Sequence, residues 1–409
     1  MKFGGIKYDC ELTISFASTG NSLAFLGGGW ARSEERFTWG IGDESHLLLP
    51  PLASTDEYVL TLDLIPFVHA PELPSQRLIV SVNDTVVGSA DLSRPTLVGY
   101  RIPASPGRRA DRMVVTLQHP DAARPREFSA IADDRSLAFA LSEVKLYRVT
   151  NTPGTPESHL PTGLMLGSTR GRGPVDVTEW ATTRTGLTIP DIALKFESLG
   201  ENCEFGLFQR RCDVEPLGLL RFSSTFMRTL IRGIENGFEG LGDIEDIEPR
   251  LEGEPRKEFM VHEKKFGLVY HTFVYEGQRS VWLIREQEAA RLKFLRRKFM
   301  EELESTDKIF VYKLASGVSE EEILPLFIAL NRYADATLLW VVPAERDRPA
   351  GTVEVVMPGV LKGYIDRFAP DTNAHDFSFD GWLRVCANAL VLARLVQHTG
   401  STPEPNKAG

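Results

Sequence analysis

Cysteine is scarce in this chain. Cys10, Cys203, Cys212 and Cys386 are spread over 409 residues, too few and too scattered for a disulfide scaffold. No two have CxxC spacing, so a cysteine-rich zinc site is not expected. A surplus of positive charge is also missing: 46 Lys and Arg stand against 56 Asp and Glu, a formal net charge of −10. A general nucleic-acid binder needs a cationic surface for phosphate, and an electrostatic membrane anchor needs one for anionic headgroups. Neither class fits. No run approaches the ~18 consecutive apolar residues of a membrane span. Met1–Leu26 lacks the basic start and long apolar core of a secretory signal, so the expectation is a cytoplasmic protein with reduced thiols. No phosphate-cradling loop of Walker type occurs, and Gly171-Arg172-Gly173 sits in a polar stretch and not after a strand. The second half has no Asp-x-Asp motif. No metal and no cofactor are expected, and the oligomeric state is left unassigned.

What is present is ordinary globular material, 42% hydrophobic and 25% charged, in a length that calls for two or three domains. Residues 1–150 read as all-β. Tyr58–Leu64 alternates in part, and Arg77–Val82 leads through Asn83-Asp84 into Thr85–Gly88, a hairpin whose turn residues tolerate positive φ. Met113–Leu117, Leu137–Leu141 and Val144–Tyr147 add further short runs. This pattern predicts an antiparallel β-sandwich. Residues 151–190 hold nine Thr, six Gly, five Pro and two Ser, the composition of a linker or a surface strap. Residues 191–398 read as a mostly parallel α/β domain. Ile192–Glu197 reads as a strand and Cys203–Arg211 as a helix. Leu292, Leu295, Phe299 and Leu303 make one apolar face of a helix over 285–303. Lys308–Tyr312, a helix capped by Ser319 with Glu320-Glu321-Glu322 in its first turn, and Thr337–Val342 form a βαβ unit. Val353–Met357 adds a strand and Asp380–Gln397, with Asp380 as its cap, a last helix. Residues 399–409 read as a disordered tail.

The chemistry concentrates at Ser198-Leu199-Gly200-Glu201-Asn202-Cys203. A strand end feeds a glycine turn, and the thiol lies at the first turn of a helix, where free N–H groups and the helix dipole favour a thiolate. Glu201 and Glu204 work against that by raising the thiol's pKa. Two readings stand: Cys203 as a nucleophile, or as a small buried apolar residue, the commoner fate of cysteine. A nucleophile needs a base. His271, on the aromatic-rich run Phe266–Phe273 that is expected to be buried, is the best-placed histidine, against the plainer reading of a core histidine. His262 reads as exposed. Asp371–Asp376 reads as a solvated loop.

Ser198-Leu199-Gly200-x-x-Cys203, then Phe266-Gly267 and His271, then the Arg-rich helix and Lys308–Val311, in that order, resemble a family of uncharacterised bacterial proteins designated papain-like cysteine peptidases. The resemblance spans residues 190–345. It implies Cys203 as nucleophile and His271 as base in a hydrolase or acyl transferase, with Ser198, Gly200 and Asn202 lining the substrate. Thr272 departs from the family's His-Asp-Phe, a triplet this chain carries at His375-Asp376-Phe377, so Asp376 is the candidate orienting carboxylate. A parallel βαβ unit is foreign to papain folds and fits a doubly wound sheet, with ligands at the C-terminal strand ends. Hydrolases of the Gly-Asp-Ser type match less well, since their Ser motif is missing and Asp371 and His375 are wrongly spaced. Gly29-Trp30, Glu34-Glu35, Trp39-Gly40 and the hairpin around Gln76–Val80 resemble β-sandwich modules attached to bacterial glycosyltransferases and polysaccharide proteins, over about residues 20–148. That implies a glycan partner, with Trp30 and Trp39 stacking on pyranose rings, unless both are core aromatics. The alternative function is therefore a glycosyltransferase-type or glycan-binding protein of surface-polysaccharide metabolism in which Cys203 is structural. A non-catalytic interaction protein is the third reading.

Overall fold

The computed structural model describes residues 5–53, 55–104, 112–151, 162–167, 176–305, 307–370 and 372–399. Gly171-Arg172-Gly173, Asp371, much of the expected 151–190 strap and nearly all of the expected tail lie outside these residues. The chain divides into two compact units, one made of Lys7–Thr150 with Ser319–Ile328 and the other of the remaining segments.

The first unit is an antiparallel sandwich. Its strands are β1 (Ile6–Ser15), β2 (Thr38–Ile41), β3 (Glu44–Leu49), β4 (Glu57–Pro66), β5 (Gln76–Val82), β6 (Thr85–Leu92), β7 (Thr96–Ile102), β8 (Met113–Gln118) and β9 (Leu137–Asn151). One sheet runs β1-β9-β4-β7 with β2 added on β9, and the other runs β3-β8-β5-β6. Alternation sets the faces: Leu47 and Leu49 of β3 and Met113, Val115 and Leu117 of β8 are buried while the residues between them are not. β4 departs from alternation because it is a central strand, paired to β7 and β9, and buried almost throughout. Leu60, Leu62, Leu78, Val80, Val98 and Phe139 are among the side chains of the single core between the sheets. The Asn83-Asp84 turn has φ of 46° and 67°, as a two-residue hairpin turn of this hand requires.

The second unit holds α1 (Val177–Thr185), α2 (Ile189–Leu194), α3 (Glu204–Arg211), α4 (Met227–Glu235), α5 (Val281–Ser305), the end of α6 (Glu320–Asn331) and α7 (Phe379–Thr399). Its strands are β10 (Met165–Leu166), β11 (Phe196–Ser198), β12 (Ser223–Ser224), β13 (Ile247–Glu252), β14 (Glu258–Glu263), β15 (Leu268–Tyr275), β16 (Ile309–Lys313), β17 (Thr337–Pro343), β18 (Val353–Met357) and β19 (Val360–Ile365). One sheet has the order β10-β18-β19-β17-β16-β11. β11, β16, β17 and β19 pair in parallel, and β18 and β10 close one side antiparallel. Beside it stands an antiparallel sheet, β12-β15-β14-β13. The unit is thus a mixed α/β fold, less parallel than expected.

Several expectations need correction. Ile192–Glu197 is not one strand. Thr188 accepts the Asp191 N–H, Pro190 fits the helix start, and α2 runs to Leu194 before β11 begins. Within the expected strap, Asp176 caps α1 and Gly186 ends it in the left-handed conformation. The last helix starts at Phe379, and its first turn is capped by Ser378, whose hydroxyl accepts from Gly381 N, not by Asp380. Among the described residues no helix is long and apolar enough to cross a membrane.

Candidate functional site

β11 ends beside β16 in parallel register, Ser198 opposite Val311, so the chain leaves the sheet at a C-terminal strand end, where doubly wound folds place ligands. The turn that follows uses two left-handed residues, Gly200 at φ 90° and Glu201 at φ 83°. Glycine adopts this freely, whereas glutamate does so only when its surroundings hold it. What holds Glu201 is Lys313, the last residue of β16. The Lys313 ammonium lies 2.8 Å from a carboxylate oxygen of Glu201 and 2.8 Å from one of Glu204, with the Phe368 ring 4.8 Å away. Trp382 on α7 donates its indole N–H to the other Glu204 oxygen at 2.8 Å. The side chains of Lys313 and Glu204 are 3% and 0% exposed, so these charges exist only as a mutually compensated cluster. The Asn202 side-chain Oδ1 accepts the Glu204 N–H at 2.9 Å at the start of α3.

Cys203 is the residue before α3, but its environment is not that of an activated thiol. Burial pushes its pKa up, with Arg210 pulling weakly the other way. Its Sγ points at the Phe222 carbonyl, 3.7 Å away, and its side chain packs on the α/β core. The expected thiolate is therefore not favoured, since the desolvation of the charged form outweighs what the helix start offers. Glu201 and Glu204 are turned to Lys313 and not to the sulfur. Cys212 and Cys386 are buried thiols with raised pKa, Cys212 to about 12, and Cys10 is exposed.

Ser198, Gly200, Asn202 and Cys203 thus share one turn, and Phe222, whose carbonyl meets the Cys203 sulfur, lines one cavity with His271. His271 lies on β15 of the antiparallel sheet. Contrary to expectation its side chain is 49% exposed. Its Nδ1 lies 3.1 Å from Glu258 Oε2, and its ring stacks on Phe273 with centroids 5.8 Å apart. Among the described residues no hydrogen bond joins Cys203 to a histidine. Asp376 is exposed and paired with Arg367 at 2.7 Å; the carboxylate in contact with His271 is that of Glu258. A hairpin pairing of Glu258–Glu263 with Leu268–Tyr275 across Gly267, legible as two alternating runs, points to it. The half-buried His262 pairs with Glu252 at 2.6 Å. Among the described residues no group of three or more His, Cys, Asp and Glu is arranged to hold a metal ion.

In the sandwich the two tryptophans separate. Trp30 is half-buried, donates its indole N–H to the His46 carbonyl at 2.8 Å and packs on Phe16 and Phe139 against the core. Trp39 sits opposite Ala140 across the β2–β9 ladder, over a small side chain on its own face of the sheet. It begins a chain of half-buried rings: Phe37 at 5.6 Å, Phe67 at 6.4 Å, and Phe128 at 6.1 Å from Phe67. His69 lies 5.3 Å beyond Phe128. Arg135, bonded to Asp133 and Glu34, and the His69–Glu72 pair add charged groups on the segments that carry these rings.

No family model matches the chain, and no curated protein matches it. Among solved structures, the CBM36-1 domain of a multidomain xylanase from the hindgut metagenome of Trinervitermes trinervoides is similar at 11% identity and a TM-score of 0.22, over 33% of this chain and 94% of that one. The C-terminal CBM6 of LamC, a marine laminarinase from Zobellia galactanivorans, is similar at 13% identity and 0.22, over 33% and 97%. A carbohydrate-binding module CBM36 in complex with calcium and xylotriose is similar at 9% identity and 0.19, over 33% and 98%. These likenesses fall on the N-terminal β-sandwich. At such scores they carry no argument about what this chain binds.

Proposed function

We propose that this protein binds glycan through the sheet face of its sandwich that carries Trp39, with Cys203 a structural residue of the α/β unit. The observation that carries the reading is the continuous row of half-buried rings Phe37, Trp39, Phe67 and Phe128. A pyranose has an apolar face of C–H groups and a rim of hydroxyls. Aromatic side chains cover such a face at small conformational cost, and a few charged groups on the same segments can bond the hydroxyls. Trp30 is outside this row, its indole N–H held by the His46 carbonyl and its ring packed against the core. The cysteine-hydrolase reading is less favoured, since it needs a thiolate where burial keeps a thiol.

Screening the whole chain on a glycan array, followed by calorimetry with the best oligosaccharide, tests this. Trp39→Ala weakens binding by about tenfold or more, the loss of one stacking platform. Leu23→Ala, a change at an exposed position outside the row, leaves binding unaltered. An array with no binding, or a Trp39→Ala variant that binds as tightly as the parent, overturns the proposal.

A further inference from the structure

We propose that the cavity between β15, α5 and the chain segment leading into β12 is a binding site for a small amphipathic carboxylate. It lies wholly within the α/β unit and does not depend on the glycan reading. Its floor is apolar, formed by Leu219, Phe222, Leu292 and Leu295, and its rim carries His271 and Arg291.

Both rim residues have one edge fixed and one edge left over. His271 Nδ1 faces the acceptor-only carboxylate of Glu258 at 3.1 Å, so its N–H belongs there and Nε2 is left as an acceptor, open to a donor and not to the anionic end of a ligand. Arg291 uses one nitrogen on Glu288 at 3.2 Å, while Tyr270 donates its hydroxyl to the same Glu288 oxygen at 3.0 Å. The Arg291 side chain is 47% exposed, and the rest of its planar fork is of the geometry that takes a carboxylate. The Arg291 fork beside an apolar floor fits a ligand with one anionic end and a hydrocarbon or aryl body.

Phe273 is the independent sign of a built site. Its φ is 57° and the residue is 66% exposed. A bulky aromatic is a rare occupant of the left-handed region, and here it does not gain burial in exchange. Glu258 holds it there: one carboxylate oxygen accepts the Phe273 N–H at 2.7 Å while the other meets His271. The same carboxylate therefore sets the histidine and turns the aromatic ring onto it, stacked at 22°. Phe273 falls at a break in the β14–β15 register, where Glu258 pairs with Tyr275 and Met260 with His271, and such bulges re-aim side chains beside sites. The outward ring of Phe273 is there to meet the body of the ligand.

The test uses the whole protein with octanoate and 3-phenylpropionate as probes, and octanamide and 3-phenylpropionamide as their neutral counterparts. Binding is read by calorimetry and saturation-transfer NMR. The acids bind with Kd on the order of 1 mM or tighter, and the amides about tenfold more weakly. Arg291→Gln abolishes the difference between acid and amide. Phe273→Gly weakens every probe by about tenfold while raising the melting temperature, because glycine relieves the left-handed backbone. A purely structural Phe273 would raise the melting temperature and leave binding unchanged, and that result overturns the proposal. So does failure of both acids to bind, or equal affinity for acid and amide in the parent protein.

Discussion

In the sandwich unit the polar side chains that reach the interior are mostly small and neutral, such as Thr38, Ser45, Thr61 and Ser81, and Asp63 is the one fully charged side chain among the described residues. In the α/β unit five charged side chains are buried among the described residues: Glu197, Glu204, Arg221, Glu263 and Lys313. The sandwich is held by alternating strands closing on one apolar core, where a lost contact costs a cavity. The α/β unit adds buried ions that are tolerable only in company. A missing partner there costs the desolvation of whatever is left behind. Two kinds of specificity thus sit in one chain, one of shape and one of charge balance.

Lys313→Met breaks the charge balance most severely. It strands Glu201 and Glu204 without their cation, and a loss of about 3–5 kcal/mol is expected. Hydrogen exchange reads it as faster amide exchange in β11 and β16, with β4 and β9 of the sandwich unaltered. Equal loss of protection in both units would erase the distinction.

Glu197 sharpens the comparison through pH. Burial raises its pKa to about 7, although Lys308 lies 3.0 Å away and opposes the shift. The folded state then holds a proton that the unfolded chain has already released. Stability is full below the ordinary carboxylate range and falls as pH rises from about 4.5 to about 7, by an amount on the order of 3 kcal/mol, and is level above that window. Chemical denaturation at a series of pH values checks this, and Glu197→Gln flattens the slope. A parent protein with no slope in that window contradicts it.

The smallest effect is at Cys203. Cys203→Ala costs about 1 kcal/mol or less, since only one sulfur leaves a half-buried position. In the native protein iodoacetamide labels the exposed Cys10 before Cys203, as peptide mapping reads it. Labelling of Cys203 first would restore the activated thiol.

The sandwich was largely legible in the sequence because its information is local: period-two runs and an Asn83-Asp84 turn name the strands without knowledge of their partners. α5 was legible for the same reason, from Leu292, Leu295, Phe299 and Leu303 on one face. The helices α1 and α2 were not, because a stretch dense in Thr, Gly and Pro hides its own signals: Asp176 and Gly186 bound one helix, and Thr188 and Pro190 begin the other. Ile192–Glu197 is apolar over too short a run for periodicity to tell helix from strand. At the site, sequence alone located the turn around Gly200 and Cys203 but mistook what its carboxylates do. Glu204 meets Trp382 across 178 residues of chain, and nothing near Glu201 or Glu204 announces Lys313. His271 kept its strand and lost its assumed burial, and its partner Glu258 became visible only through the hairpin.

The Trp382–Glu204 hydrogen bond also carries a statement about time. During synthesis the segment with Glu201 and Glu204 leaves the ribosome long before Lys313 and longer still before Trp382, at roughly 5–20 residues per second. Until α7 has been made, the two carboxylates and then the ammonium have no cover and stay hydrated. The parallel sheet can pair its strands in that interval, but the ion cluster closes only when the last described helix docks. The nascent chain therefore passes through a stage in which the sandwich can be complete while the α/β unit is wet at its centre.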